Sequence, residues 1–279
     1  MEAINYDTIF DYNDGSSVLP KDAFRISPSG VEKFFSDKTT WYRENLLGES
    51  KKFTGSTSTL LGTCCHAVAE IIAAAKESGV PHDRELLDEK ISEYIDSYED
   101  DENYDTGKVH GLWKSMAEPL VQEFVLTANT ISTEEFIYHE LLPGYFVGGS
   151  YDAITSTAPN DNLLNPVGQL TLRDFKTAAS KPSRFTYAYK LQAFTYAYIL
   201  AQKGIKITDV ELCYAVQPTK TMGVRTVHFT LPFDAQAYSF IEGILKLIAE
   251  SAQCFNNYGD LRYLLAGDYR LKQNDIPLP

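Results

Sequence analysis

Cysteine is scarce in this chain. Four residues in 279 (Cys64, Cys65, Cys213 and Cys254) make no CxxC pair, which excludes a disulfide framework and the usual spacings of zinc and iron–sulfur sites. They read as buried thiols. No uninterrupted apolar run approaches the roughly 18 residues that suggest a membrane span. The N-terminus, MEAINYDTIFDYNDG, is acidic and lacks the basic and apolar blocks of a secretory leader, so a cytoplasmic protein is expected. There is no Walker A glycine loop followed by Lys-Ser/Thr, so no ATPase and no bound nucleotide are expected. Basic residues are also in deficit, with 25 Lys and Arg against 38 Asp and Glu, for a net charge of −13.

That deficit is local. Residues 83–105 hold eleven acids against two bases, Arg84 and Lys90, so −9 sits there and only −4 is spread over the rest. Screening confines the effect of a charge to about 8–10 Å, so acidity in one segment does not exclude a polyanionic substrate elsewhere. The acidic segment itself reads as a solvated helical face.

The 44% hydrophobic content is that of a globular protein with a sizeable core. Residues 1–25 lack periodicity and read as an irregular arm. A short helix is expected from Ser27-Pro28, with Ser29 and Glu32 as a capping box. Residues 48–58 read as a loop, and 58–76 as a helix with Leu61, Cys65, Val68, Ile72 and Ala75 on one stripe. Further helices are expected at 84–98 and 111–128. Three strands follow, at 134–141, 145–155 and 167–176, the last two joined by a long loop. A helix at 182–203 closed by Gly204, strands at 208–217 and 223–231, and a helix at 233–256 complete the pattern. One α/β domain over 1–279 is implied: an arm (1–25), an acidic helical insertion (80–130) and a core of sheet and helices (131–256).

Chemistry concentrates in three places. In Arg173-Asp174-Phe175-Lys176-Thr177, strand alternation puts Asp174 and Lys176 on one face and Phe175 on the other. A hard oxygen donor then stands beside an ammonium group, the pairing that phosphodiester hydrolysis uses. Asp152 lies 22 residues earlier on the preceding expected strand, and a hairpin would set the two carboxylates side by side. Two adjacent carboxylates repel unless a cation separates them. Gly148 and Gly149, just before Asp152, permit a close backbone or ligand approach. Gly62, His66 and Glu70 recur every four residues along one helical stripe, where Gly62 lets the helix pack closely and Glu70 can orient His66.

These pieces, in this order, resemble the RecB-type branch of the PD-(D/E)XK nucleases. That branch carries G-x-x-x-H-x-x-x-E, G-x-x-D, D-x-K-T and Q-x-x-x-Y; here they are Gly62…His66…Glu70, Gly149…Asp152, Asp174…Thr177 and Gln192…Tyr196. The early Ser27-Pro28-Ser29 is similar to the opening of RecE-like phage nucleases. The resemblance implies a restriction-endonuclease-like core, with a mixed central sheet flanked by helices. It implies Mg²⁺ or Mn²⁺ held by Asp152, Asp174, His66 and the Phe175 carbonyl, with Glu140 as an outer ligand. Lys176 would be the catalytic lysine, and Gln192 and Tyr196 would line the site. It implies no iron–sulfur cluster, because the relatives that hold one carry a late trio of cysteines absent here.

The implied activity is a DNA exonuclease of phage or bacterial recombination and repair, with a single-strand annealing protein as a partner by family analogy. A silent DNA-binding module and a structure-specific endonuclease are the alternatives. For DNA contacts, Arg173, Lys181, Arg184 and Lys190 form the most basic stretch near the site, with Phe185, Tyr187 and Tyr189 interleaved. Lys51, Lys52, Lys220 and Arg225 are weaker candidates.

Overall fold

The computed structural model describes residues 4–11, 15, 17–49 and 55–258. Lys51, Lys52 and much of the expected 48–58 loop lie outside the described residues, as does the chain beyond 258. The first regular elements are strand β1 (Phe24–Ile26), a 3₁₀ turn (Pro28–Gly30), helix α1 (Val31–Ser36) and helix α2 (Lys38–Asn45). Ser27 precedes the turn in extended conformation but makes no side-chain cap, whereas Asp37 caps α2 by accepting from Thr40 N at 3.2 Å. Helix α3 (Thr57–Ser78) is capped by Ser56 and ends at Gly79, whose φ of 70° suits a residue without a Cβ.

The acidic segment forms helix α4 (Arg84–Asp96), capped by Asp83, and a following turn. Its acids are exposed or locally paired, Asp88 with Arg84 and Lys114, and Asp96 with His110. Helix α5 (Thr106–Leu120) starts five residues before the expected 111, because Asp105 caps it by accepting from Lys108 N. It does not run on as α-helix to 128. Pro119 removes one amide donor near its end, and residues Val121–Leu126 continue as a π-helical turn.

The strands are β2 (Thr130–Thr133), β3 (Phe136–Leu142), β4 (Tyr145–Ser150), β5 (Ala153–Ser156), β6 (Leu170–Ala178), β7 (Ile207–Val216) and β8 (Arg225–Pro232). Helix α6 (Tyr187–Gln202) crosses between the parallel pair β6–β7, and α7 (Ala235–Tyr258) follows β8. Two sheets result, with strand orders β1-β4-β3 and β2-β5-β6-β7-β8. The class is α/β with a mixed central sheet between helices, as expected.

Three local departures matter. The expected strand at 145–155 is two strands in different sheets, and Tyr151-Asp152 is the break between them. The end of the expected irregular arm, Phe24–Ile26, pairs in parallel with β4. Helix α6 begins at Tyr187 under a Thr186 cap rather than near Pro182.

The five-stranded sheet separates two cores. On one side Leu170 and Leu172 pack with α6, α7, α1 and the smaller sheet. On the other, Ala153, Phe175, Cys213 and Ala215 pack with α3, α4 and α5. By length and composition α3 could cross a membrane, but most of it is buried against α5 and β6 as a core helix. A Cβ added at Gly62 would lie 3.3 Å from Thr177 Oγ1, so this glycine does let α3 settle closely on β6. Cys64, Cys65 and Cys213 are buried, as expected, whereas Cys254 is only partly buried.

Candidate functional site

The break between β4 and β5 creates the site. Ala153 pairs with Arg173, so Asp152 falls opposite Asp174 at the point where its strand leaves the sheet. The Asp152 carboxylate turns back and accepts from Phe175 N at 2.5 Å. His66, reaching over from α3, brings its Nδ1 to 3.6 Å from Asp152 Oδ2. Alternation along β6 puts Asp174 and Lys176 together as the pattern predicts, with Lys176 Nζ 2.6 Å from Asp174 Oδ2. That ammonium is the oxygen's contact; among the described residues no other hydrogen-bond donor reaches it. From α6, Gln192 Nε2 lies 3.5 Å from Asp174 Oδ1, and Tyr196 stands beside Gln192.

A cavity of about 350 Å³ opens onto this group. His66, Asp152, Lys176, Gln192 and Tyr196 line it, together with Arg25, Ser27 and Ser29 from the segment around the 3₁₀ turn. A Cβ at Gly149 would lie 3.0 Å from Pro28 Cδ and 3.2 Å from the Tyr196 hydroxyl, so this glycine lets the turn and α6 close over the site.

Asp11, Glu70 and Glu134 add further acids to the wall. Glu70, one turn beyond His66, is pushed up to about 7 by burial and then by Asp152. Glu134 is a residue the sequence reading missed. It sits between β2 and β3 with φ of 48°, an uncommon conformation for a residue with a side chain, and its N–H donates to Asp152 O at 3.3 Å. Burial, then the charges of Asp152, Glu70 and Asp174, push its carboxyl up to about 10. Asp174 is also raised, by burial first, with Lys176 opposing. For Lys176, burial alone would lower its pKa, but Asp174 and Asp152 outweigh it and carry the amine to about 12. Its ammonium lies 5.1 Å from the Tyr189 ring centre.

Other expected residues lie elsewhere. Glu140 is exposed on β3, and its Oε1 accepts from Gly144 N at 2.8 Å; it caps the β3–β4 turn, and the acid that the cavity receives from this part of the chain is Glu134. Arg173 points to the opposite face of β6 from Asp174, as strand alternation demands. There it donates to Glu211 and to Phe124 O, both at 2.6 Å. Lys190 extends over Phe194 and Phe240 near Leu231, on a separate surface. Lys181 and Arg184 are exposed in the segment leading into α6, while Phe185 packs into the core and Tyr187 is exposed. Lys220 is exposed, and Arg225 NH1 lies against Met222.

Arg173 is therefore expected to matter for stability. Replacing it with alanine leaves Glu211 largely buried without its partner, which costs about 3 kcal/mol. Urea unfolding should show that loss; a midpoint equal to the parent's would take the Arg173–Glu211 pair out of the fold's stability.

Among the described residues, no three acid, histidine or cysteine side chains already converge as a metal cluster. The donor chemistry nevertheless fits a hard divalent cation. Asp11, Glu70, Glu134 and Asp152 line one small cavity beside Asp174, the carboxyls of Glu70, Glu134 and Asp174 are raised by burial, and among the described residues the buried Asp174 Oδ2 is met by the Lys176 ammonium.

Comparison with known proteins bears on the fold and the family. The structure is similar to that of a presumed exonuclease from Eubacterium rectale, with a TM-score of 0.54 at 13% identity over 92% of this chain and 87% of that one. It also aligns with a phage-related exonuclease from Haemophilus somnus 129PT, with a TM-score of 0.38 at 10% identity, covering 85% and 97% of the two chains. LHK-Exo, solved with dAMP, gives 0.40 at 12% identity, covering 85% and 92%. The last two scores are too low to carry weight. No curated protein sequence matches. The family model of the PD-(D/E)XK nuclease superfamily matches residues 25–260, which spans Asp152, Asp174 and Lys176 and most of the chain. The chain belongs to the PD-(D/E)XK nuclease superfamily.

Proposed function

We propose that this chain is a metal-dependent deoxyribonuclease of the RecB-type branch that removes nucleotides from DNA ends. The juxtaposition of Asp152, Asp174 and Lys176 carries the reading: two carboxylates and an ammonium at the mouth of a cavity with further acids behind them. Asp152, Asp174, His66 and the Phe175 carbonyl would hold Mg²⁺ or Mn²⁺, with Glu70 and Glu134 as outer partners. When bound, such an ion supplies Lewis-acid stabilisation of phosphate charge and an acidified water.

The chain's own groups account for the rest. Lys176 places a positive charge where a phosphate oxygen gains negative charge. Gln192 holds Asp174, and Tyr196 backs Gln192 as a neutral phenol, because burial and the nearby carboxylates raise its pKa well above the usual value. Arg25, Ser27 and Ser29 give the opposite wall one cation and two hydroxyls suited to a phosphate. Lys181 and Arg184, exposed in the segment leading into α6, would be further cations for the DNA backbone.

The test is incubation with end-labelled linear duplex and single-stranded DNA in Mg²⁺ or Mn²⁺, beside an Asp174→Ala control. Metal-dependent release of nucleotides that is absent in the variant and on closed circles is expected. Cleavage of closed circles would make the enzyme an endonuclease. Binding without cleavage of any linear, circular or flapped substrate would make the chain a silent DNA-binding module.

A further inference from the structure

A second cavity, of about 320 Å³, lies on the other side of His66 and Glu70. Those two residues, with Ile9 and Asp11, line both cavities, so the second adjoins the one that holds Asp152 and Lys176. Its far wall is aromatic. Tyr98 and Tyr104 have ring centres 4.6 Å apart, and Tyr94 packs edge-on against Tyr98 at 5.3 Å with the two hydroxyls 3.1 Å apart. The near wall supplies hydroxyls from Thr59 and Thr63 of α3.

The shelf already stacks one flat ring. Phe10 lies parallel to Tyr94, within 5° and 3.7 Å between centres, while the cavity beside it stays open. A neighbouring, more open groove shares Thr59, Thr63 and His66 with this cavity and leads past Ser58 and Gly62 to Tyr189, whose ring faces the Lys176 ammonium. Aromatic rings thus line two openings that meet at His66. Cations are few on the Tyr94 side, where the surrounding segment carries −9, so a clamp on successive phosphates is ruled out there. Stacking is the interaction this wall offers, and an aromatic ring can receive a base only when that base is unpaired.

We propose that the Tyr94–Tyr98–Tyr104 cavity seats an unpaired nucleobase of the strand being cut, next to the nucleotide held at Asp152 and Lys176. The substrate is then single-stranded DNA or a frayed end, gripped by base stacking more than by phosphate contacts. This inference rests on the nuclease reading above.

The test uses oligonucleotides carrying one 2-aminopurine, moved stepwise along a single strand, bound to the full chain in Ca²⁺. Quenching is expected at one position near the cleaved bond, and its loss in Tyr98→Leu or Tyr104→Leu. In Mg²⁺, an abasic nucleotide at that position should raise KM roughly 10-fold with kcat kept, the worth of one stacked base. Tyr98→Leu should raise KM equally on intact DNA and add nothing on the abasic strand. The abasic comparison needs no variant, so a misfolded variant does not blunt it. Cleavage with no quenched position, or equal KM for abasic and intact strands, overturns the base pocket and leaves the nuclease reading standing. If no nucleic acid is bound or cut, the nuclease reading fails and the pocket falls with it.

Discussion

Lys176→Ala should lower kcat on DNA by about 10³-fold with KM changed only slightly, the size of effect seen when a group aimed at transition-state charge is removed. The reason is placement. Lys176 shares a strand face with Asp174 and points into the cavity, at 2.6 Å from a carboxylate that is itself buried. With its pKa carried to about 12 by Asp174 and Asp152 against the opposing pull of burial, the free protein holds it as an ammonium throughout the working pH range. A largely buried ammonium is a strong electrostatic partner for a phosphate oxygen, because the low dielectric around it screens the attraction less than bulk water does.

The same substitution should have a second signature. Without Lys176, Asp174 Oδ2 loses its counter-ion and stays buried, so the metal-free variant is expected to unfold at a lower temperature than the parent. Added Mg²⁺ should restore more of the melting temperature in the variant than it adds to the parent, because the cation replaces the missing positive charge. Calorimetry with and without Mg²⁺, alongside single-turnover kinetics, separates the two effects. A kcat loss below tenfold would remove Lys176 from the chemistry.

The order of motifs made this centre legible in the sequence. Strand alternation alone set Asp174 and Lys176 on one face and sent Phe175 into the other core, as observed. The spacing of four along α3 brought His66 and Glu70 to the same cavity. What the sequence hid was mostly non-local. The residues 145–155 read as one continuous strand, and the change of sheet at Tyr151-Asp152 depends on partners far along the chain. Strand β1 is three residues paired with β4 more than a hundred positions away, too short to show periodicity. Glu140 entered through the resemblance, as the acid expected on this strand, while Glu134, inside the strand expected at 134–141, sits in the turn before it and lines the cavity; its positive φ leaves no trace in composition. Arg173 and Lys190 drew notice as cations near a motif. Sequence proximity says nothing about direction, and alternation on β6 already turned Arg173 away from Asp174.

Glu134 leads to the second large effect, on stability against pH. Its carboxyl is pushed up to about 10 and that of Glu70 to about 7, both by burial first and neighbouring carboxylates next. An acid whose folded pKa lies above its unfolded value near 4.3 binds more protons when folded. Its stabilising contribution is complete below the unfolded pKa and drains away as pH climbs through the folded one. The metal-free protein is therefore expected to be most stable near pH 5 and to lose melting temperature steadily toward pH 9, because the unfolded chain releases the Glu70 and Glu134 protons that the folded protein keeps up to about 7 and about 10. Glu134→Gln removes one of those titrations while keeping the side chain's shape. In the metal-free state it should flatten the upper part of this decline and raise the melting temperature at pH 8–9, at the expense of activity. Bound Mg²⁺ offsets the same repulsion, so it should stabilise the parent more at high pH, by about 2.7 kcal/mol once its concentration reaches about a hundred times Kd, and should stabilise Glu134→Gln less. Melting curves of both proteins from pH 5 to 9, with EDTA and with Mg²⁺, decide the matter. A parent that gains stability toward pH 9 in EDTA, or a variant that responds to Mg²⁺ as fully as the parent, would take Glu134 out of the cation's surroundings.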